Sequence, residues 1–265
     1  MSSLAVIDEE VVKAAPAASK PTNSDLVVDW DDEGATASTD GLEKIAPADK
    51  NSVVRFAVLT DITPPLNAWV HFFQRNNKKA SVRCLSVRDK KKKIQGEPAI
   101  CCQHADEQEV AKHQFVVLGL EYLNTDSKTG SLPKAPGSNE LLPIEFKIGW
   151  VKLTEKGFKS IYDLTLSKEE EEESKPRLGA HEMDIVMSHR DDGFGFAYHR
   201  VTRTARYRTS PALLAQVQAE AAQYSDGVML ARWLGKILTP VDMRILLGQG
   251  PDRKSAANIN NTDDL

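Results

Sequence analysis

Four residues of types that commonly bind metal ions occur in the first half of the chain. They are His71, Cys84, Cys101 and His104, with twelve, sixteen and two residues between successive members. Zinc takes four soft or borderline ligands in a tetrahedron, and a Cys-x-x-His pair with two ligands from neighbouring strands can supply them. Cys102 or His113 can replace a member of this set. The alternative interpretation is a pair of buried thiols beside ordinary polar histidines.

A second set of residues combines positive charge with aromatic rings, which is typical of single-strand binding. Basic side chains contact phosphates, and each ring offers a stacking surface worth about 1–3 kcal/mol per base, which a duplex cannot use. The candidate phosphate contacts are Lys78, Lys79, Arg83, Arg88, Lys90, Lys91, Lys92, Lys93, Arg200, Arg203, Arg206 and Arg208. The candidate stacking rings are Trp69, Phe72, Phe73, Phe194, Phe196, Tyr198 and Tyr207. For any one ring, a place in the hydrophobic core is the alternative.

Motifs of enzyme chemistry are absent from the sequence. There is no Gly-x-x-x-x-Gly-Lys phosphate loop, no Gly-x-Ser-x-Gly elbow and no His-Glu-x-x-His pair. Asp191 and Asp192 follow His189, and such a pair can hold a metal ion for phosphodiester cleavage. An Asp-Gly step is also typical of a tight hairpin turn, which is the better explanation here. We therefore predict that the protein is not an enzyme.

Composition limits the class of protein. At 265 residues with 41% hydrophobic and 27% charged residues, the chain can bury the core of one large domain or two small ones. No stretch approaches the roughly 20 apolar residues of a membrane span, and the start lacks a signal-peptide pattern. Three cysteines, two of them adjacent, cannot form a disulfide framework. We expect a protein of the cytoplasm that is neither secreted nor bound to a membrane.

Charge is segregated along the chain, although the net formal charge is only -4. Residues 1–50 contain eleven acidic residues against four lysines, which predicts a disordered acidic arm. Residues 54–118 contain eleven basic residues against six acidic ones, which indicates a basic face. Residues 249–265, which end in Asp-Asp-Leu, are expected to form a flexible tail. That tail can dock on a partner protein or compete for the chain's own basic cleft.

The pattern of apolar residues predicts an α+β fold. Strands are expected where β-branched and aromatic residues concentrate, at 53–59, 69–73, 81–87, 113–123 and 144–153. A short helix at 156–164 follows, and 183–188 with 194–207 reads as a hairpin. Loops are expected at 125–139, which we predict to be mobile, and at 167–180, which contains five consecutive glutamates. A helical region at 211–248 follows a core domain at 51–210.

The order of these segments over residues 53–247 resembles the single-stranded-DNA-binding, helix-destabilising proteins of tailed bacteriophages. The resemblance depends on Phe-Ala-Val-Leu-Thr at 56–60, Trp-Val-His-Phe at 69–72, Cys-Cys-Gln-His at 101–104 and Gly-Phe-Gly-Phe-Ala-Tyr at 193–198. It implies an OB-fold barrel interrupted by a zinc-binding subdomain. The groove between the barrel and the subdomain would hold the DNA strand. His71 and Cys84 match the family's first two ligands and keep its twelve-residue gap. Cys101 and His104 match the closing pair, where the family usually ends in cysteine.

The prediction from sequence is therefore a sequence-nonspecific single-stranded-DNA-binding protein. It would protect DNA during phage replication and recombination in the host cytoplasm, with its tail available to other replication or recombination proteins. The alternative is a structural or adaptor protein that binds other proteins through its acidic ends and its helical C-terminal region. In that case the basic residues serve only solubility.

Overall fold

The protein has an α+β fold centred on one mixed sheet of eight strands, which confirms the predicted class. The computed structural model describes residues 42–75, 78–191 and 195–247. The strands are β1 (Glu43–Lys44), β2 (Val53–Val58), β3 (Leu66–Arg75), β4 (Lys78–Cys84), β5 (Lys112–Tyr122), β6 (Phe146–Thr154), β7 (Asp184–His189) and β8 (Phe196–Thr202). The helices are α1 (Ile100–Gln103), α2 (Glu155–Asp163), α3 (Lys168–Glu172), α4 (Pro211–Ala221), α5 (Val228–Ala231) and α6 (Pro240–Leu246).

Strand β5 lies at the centre of the sheet. The strand order is β1-β6-β5-β2-β7-β8, and every pair is antiparallel except β1 with β6. On its other edge β5 pairs first with β3 and then with β2, so the β3–β4 hairpin branches away from the main sheet. Among the described residues no ladder joins β8 to β6. The sheet is therefore not closed, and the barrel that we expected is not confirmed.

The two faces of the sheet carry separate hydrophobic clusters because side chains alternate along a strand. Val116, Leu118 and Leu120 of β5 face one cluster, which the C-terminal helices α4 and α5 cover. Phe115 and Val117 face the other, which α2 closes at one end. The predicted helical region thus packs on the sheet as part of the same core.

Most of the predicted elements are confirmed. All five predicted strands and the helix that begins after Thr154 are present, with the Thr154 hydroxyl accepting from the Gly157 backbone N–H. The predicted hairpin pairs as β7 with β8, although residues 192–194 of its turn lie outside the described residues. The second strand was predicted to reach residue 207 but ends at Thr202. No helix in the described part of the chain is both long and apolar enough to cross a bilayer.

Two segments that we expected to be irregular are partly structured. Residues 42–50 of the predicted acidic arm contribute β1, with Leu42 and Ile45 buried against the sheet. A Cβ atom at Gly149 would lie 2.6 Å from the Glu43 carbonyl oxygen, so this glycine permits β1 to pair with β6. The glutamate run forms α3, because Ser167 caps the helix in a reciprocal capping box with Glu170. The remainder of the arm, residues 1–41, and the predicted tail lie outside the described residues.

A buried polar network fastens the sheet to the segment after β8. The Asp184 carboxylate, fully buried, accepts from the Arg55 guanidinium at 2.5 Å and from the Tyr122 hydroxyl at 2.7 Å. The backbone N–H of Arg206 also donates to Asp184, and that of Tyr207 donates to the Tyr122 hydroxyl. One carboxylate therefore joins β2, β5, β7 and the chain that leads into α4.

We expect Asp184→Asn to lower the free energy of unfolding by about 3–5 kcal/mol, because it leaves the buried Arg55 charge without its partner. Urea unfolding followed by circular dichroism measures the loss. Asp191→Asn, at an exposed position of the β7–β8 turn, is the matched control and should change little. Equal stability of the two variants would contradict the role given to Asp184.

Candidate metal centre and nucleic-acid interface

One histidine and three cysteines form a compact group on the β3–β4 hairpin and the single-turn helix α1. The group, called the Cys–His cluster below, consists of His71, Cys84, Cys101 and Cys102, whose ligand atoms all lie within 4.8 Å of one another. Cys84 pairs with Trp69 across the hairpin, and His71 is two residues from Trp69. His71 and Cys84 therefore share one face of the hairpin, and α1 brings its two cysteines against that face.

The environment of His71 prepares it to bind a metal. Its Nδ1 atom lies 2.6 Å from the Glu109 carbonyl oxygen, which fixes the proton on Nδ1 and leaves the lone pair on Nε2. Nε2 lies 3.3 Å from Cys102 Sγ, which is itself 3.1 Å from Cys84 Sγ. Tetrahedral coordination with metal–sulfur bonds of about 2.3 Å places two sulfur atoms about 3.8 Å apart. Adjustments of about 1 Å reach that geometry, so the cluster can hold a metal ion.

The cluster also favours a thiolate, the form of cysteine that binds metals. The hydrogen bond from Cys101 holds the pKa of Cys84 far below its usual value, helped by those from His71, Cys102 and Ser86, while burial acts in the opposite direction. The pKa values of the other two thiols are raised, that of Cys101 chiefly by its hydrogen bond to Cys84 and that of Cys102 chiefly by burial. The hydrogen bonds within the cluster therefore favour one thiolate.

The prediction that His104 is the fourth ligand is wrong, because Cys102 and not His104 is part of the cluster. Within an α-helix, the two side chains of a Cys-x-x-His pair lie on nearly the same face. Here α1 ends at Gln103, and His104 is its C-cap residue. The His104 side chain is exposed and lies outside the cluster. His113, the other alternative, stacks on Trp69 and is not part of the cluster.

Beside the cluster lies a groove of about 530 Å³ that combines positive charge with an aromatic ring. It occupies the end of the sheet where β5 extends beyond the last residue of β6 and α2 begins. Its lining, called the lysine groove below, comprises Trp69, Lys92, Ala111, Lys112, His113, Gln114, Thr154, Glu155, Lys156 and Lys159. The groove thus contains four lysines and one acidic residue, and that acid, Glu155, is paired with Lys92 at 2.6 Å.

Aromatic contacts organise this groove. The half-buried Trp69 ring stacks on His113 with centroids 4.8 Å apart and an interplanar angle of 12°. Burial lowers the pKa of His113, which favours the neutral imidazole. The His113 ring contacts Phe115, which stacks on Phe158 of α2 with centroids 4.3 Å apart. The row of rings runs from the groove into the core and fixes the orientation of Trp69.

The other rings that were predicted to stack on bases differ in burial and in position. Phe73 and Tyr207 are each 1% exposed, so the prediction that they stack on bases is wrong for this conformation. Phe196 and Tyr198 are half-buried against the core that α2 closes. Phe72 lies on the opposite face of β3 from Trp69, 5.3 Å from the Lys152 ammonium. Phe194 lies outside the described residues.

The arginines of β8 and of the segment that follows it are largely engaged within the protein. Arg200 and Arg203 both form ion pairs with Glu170, and together with the Ser167 backbone N–H they lower the pKa of Glu170 to about 2, Arg200 having the largest effect. Arg208 pairs with Asp61 at 2.8 Å. Arg206 donates to the Thr209 hydroxyl. The predicted basic face therefore does not extend to this stretch as a set of unpaired cations.

The basic residues near the hairpin are more accessible. Lys79, Lys90, Lys91, Lys92 and Lys93 are exposed, and the Lys78 side chain lies outside the described residues. Arg83 is half-buried, donates to the Ala231 carbonyl, and burial lowers its pKa. Arg88 lies between the Cys–His cluster and Trp69.

Several groove residues were missed by reasoning from sequence. Lys112, Lys156 and Lys159 stand apart from the conspicuous lysine run, and only the meeting of β5 with α2 brings them together. The spacing of Lys156 and Lys159 on a predicted helix was the one available signal. In the described part of the chain, the Cys–His cluster is the sole grouping of three or more potential metal ligands. Asp191 is not part of such a group, and Asp192 lies outside the described residues.

No protein-family model and no curated protein matches this chain. The function is therefore inferred from the chemistry of the cluster and the groove.

Proposed function

We propose that the protein binds single-stranded DNA without sequence preference, in the lysine groove. The observation that supports this most is the lining itself, which contains four lysines and a half-buried tryptophan. Lysines that contact phosphates release counterions, and an indole ring accepts any base by stacking. This pairing favours a single strand, because the bases of a duplex are already stacked on each other.

The single acidic residue of the groove fits the same proposal. Glu155 pairs with Lys92 across the groove, with about half of each side chain exposed. Exposed pairs of this kind contribute about 0–1 kcal/mol, so a phosphate can displace the carboxylate at little cost. Binding of DNA would then exchange one partner of Lys92 for another.

We further propose that the ion held by the Cys–His cluster is zinc. Three sulfur atoms and one imidazole nitrogen are the donor set that tetrahedral zinc prefers, and all four positions come from the protein. A closed set of this kind is structural, since no position remains for a substrate. The bound ion would tie α1 to the β3–β4 hairpin that carries Trp69.

We also propose that β2, β5, β6, β7 and β8 form a partly open barrel of the OB type. Supporting this, β2 pairs with both β5 and β7, and the strands enclose the hydrophobic cluster that α2 closes. OB folds are partly open Greek-key barrels that bind oligonucleotides. The hairpin and α1 would then be the inserted zinc subdomain.

The biological setting follows from the family resemblance. The protein would protect single strands during phage DNA replication and recombination in the host cytoplasm. Its tail, residues 249–265, would contact other replication or recombination proteins. Both statements are proposals that accompany the one about the groove.

The groove is tested by removing two of its lysines. We expect Lys156→Gln with Lys159→Gln to weaken binding of a fluorescein-labelled oligothymidine and to flatten the plot of log affinity against log salt. The slope should become shallower by about 0.7 for each phosphate that the variant no longer neutralises. Fluorescence anisotropy over a series of salt concentrations measures both quantities.

The matched control makes the same charge change at the opposite end of the sheet. Lys128 and Lys134 lie in the exposed β5–β6 loop, at the far end of strands that span about 30 Å. Replacing both with glutamine should leave the slope nearly unchanged. If both double variants bind with equally reduced affinity, the charge acts from a distance and the groove is not the site.

A further inference from the structure

Arg88 touches both the Cys–His cluster and the aromatic ring of the groove. One of its terminal nitrogens lies 3.8 Å from Cys102 Sγ and 4.0 Å from Cys84 Sγ. Its guanidinium carbon lies 4.8 Å from the centre of the Trp69 ring. The other terminal nitrogen donates to the Lys92 carbonyl oxygen at 3.1 Å. A single side chain therefore connects the candidate metal ligands, the candidate stacking ring and a lysine of the groove.

The thiols are the partners that can balance the charge of Arg88. No carboxylate in the described part of the chain lies within ion-pair distance of its guanidinium, and its buried Nε has no hydrogen-bond partner there. Three thiolates and a neutral imidazole around a divalent ion leave a net charge of about -1. This charge would lie against the guanidinium. Hydrogen bonds to charged acceptors are stronger and better directed than those to neutral thiols.

The register of the hairpin explains why the effect reaches Trp69. Trp69 lies on β3, which is between β5 and β4, opposite His113 on β5 and opposite Cys84 on β4. His113 approaches the ring from the β5 side, and Arg88, four residues after Cys84, approaches from the β4 side. The position of Arg88 thus determines whether the guanidinium contacts the Trp69 ring on its β4 side.

From this geometry we infer that Arg88 is a positioning residue that couples the metal centre to the lysine groove. Metal-bound thiolates hold its guanidinium, and the guanidinium in turn fixes the Trp69 ring and the loop that presents Lys92. Loss of the metal removes the anionic anchor and releases both. The inference rests on the proposed metal centre but does not require that DNA be the ligand of the groove.

The test follows tryptophan fluorescence while zinc is added to metal-free, full-length protein. The signal of Trp69 is isolated by repeating each titration in a Trp69→Phe background, which leaves Trp30, Trp150 and Trp233. We expect a zinc-dependent change in the Trp69 signal of the native chain and no such change in Arg88→Met. Lys91→Met, an exposed position in the same loop, should keep the change. Absorption of the cobalt-loaded proteins verifies that each variant still binds metal.

The outcomes separate this inference from the proposed function. If the Trp69 response persists in an Arg88→Met variant that still binds cobalt, Arg88 does not couple the metal centre to the groove. The metal centre itself is then unaffected by the result. Failure of the native chain to bind cobalt or zinc overturns the metal centre itself. If Arg88→Met does not fold, Arg88→Lys serves in its place. That variant keeps the charge but lacks the planar fork, and it should show a weaker response.

Discussion

Removal of the metal is expected to destabilise the protein by about 4 kcal/mol when zinc had been present at a thousand times its dissociation constant. The physical reason is that the four ligands come from the β3–β4 hairpin and α1, which meet only in the folded chain, so zinc binds the folded state preferentially. Urea unfolding with and without a chelator measures this difference. A chelator that leaves the midpoint unchanged would contradict a structural metal.

The ligand set is tested by a pair of substitutions at neighbouring positions. Cys102→Ser should abolish stoichiometric zinc binding, because it removes one of the four donors. His104→Ala should bind zinc as the native chain does, because this side chain is exposed at the end of α1. Zinc released from the purified proteins, measured with a chromogenic chelator, gives the stoichiometry. The reverse pattern would restore the ligand set predicted from sequence.

Loss of the Trp69 ring is expected to weaken binding of single-stranded DNA by about 5- to 150-fold, the equivalent of 1–3 kcal/mol for one stacked base. The variant is Trp69→Ala, and Trp69→Phe should retain most of the affinity because it keeps an aromatic face. Anisotropy titrations of an oligothymidine at one low salt concentration measure the difference.

Two further measurements make that result specific. Tyr162→Ala removes an exposed ring of α2 that is not part of the groove lining, and it should bind as the native chain does. Circular dichroism and zinc content of Trp69→Ala should be unchanged, since the ring lies beside the cluster and is not a ligand. Native affinity in a folded Trp69→Ala variant would show that no base stacks on Trp69.

The sequence predicted those parts of the site that depend on strand spacing. A twelve-residue gap between His71 and Cys84 is compatible with a hairpin, and the structure places both on one face of it. The fourth ligand could not be predicted in the same way. It depends on the conformation of the one-turn helix α1, which ends at Gln103, and Cys102 rather than His104 is part of the cluster.

Burial of rings and pairing of charges depend on packing that a linear pattern does not contain. Phe72 and Phe73 are neighbours on β3 and so face opposite sides, but only the position of α1 and α6 shows which side is core. The arginines at residues 200–208 looked available because no acid is near them in sequence. Their partners, Glu170 and Asp61, come from distant segments.

The lysine groove could not be predicted from the sequence either, because packing brings its residues together. Its residues come from β3, the loop after β4, the start of β5 and the first turns of α2, which are separate segments of the sequence. The run at residues 90–93 attracted attention in the sequence, yet a single member of it, Lys92, lines the groove. Convergence of separate segments makes the site.

Binding of matched single-stranded and double-stranded DNA of one length, compared at two salt concentrations, tests whether the protein is a single-stranded-DNA-binding protein. Anisotropy of labelled DNA with the purified full-length chain is the measurement. The account predicts tighter binding to the single strand and weaker affinity at the higher salt concentration. Equal binding to both forms, or no binding at low salt, would contradict it and favour an adaptor protein that acts through its acidic ends.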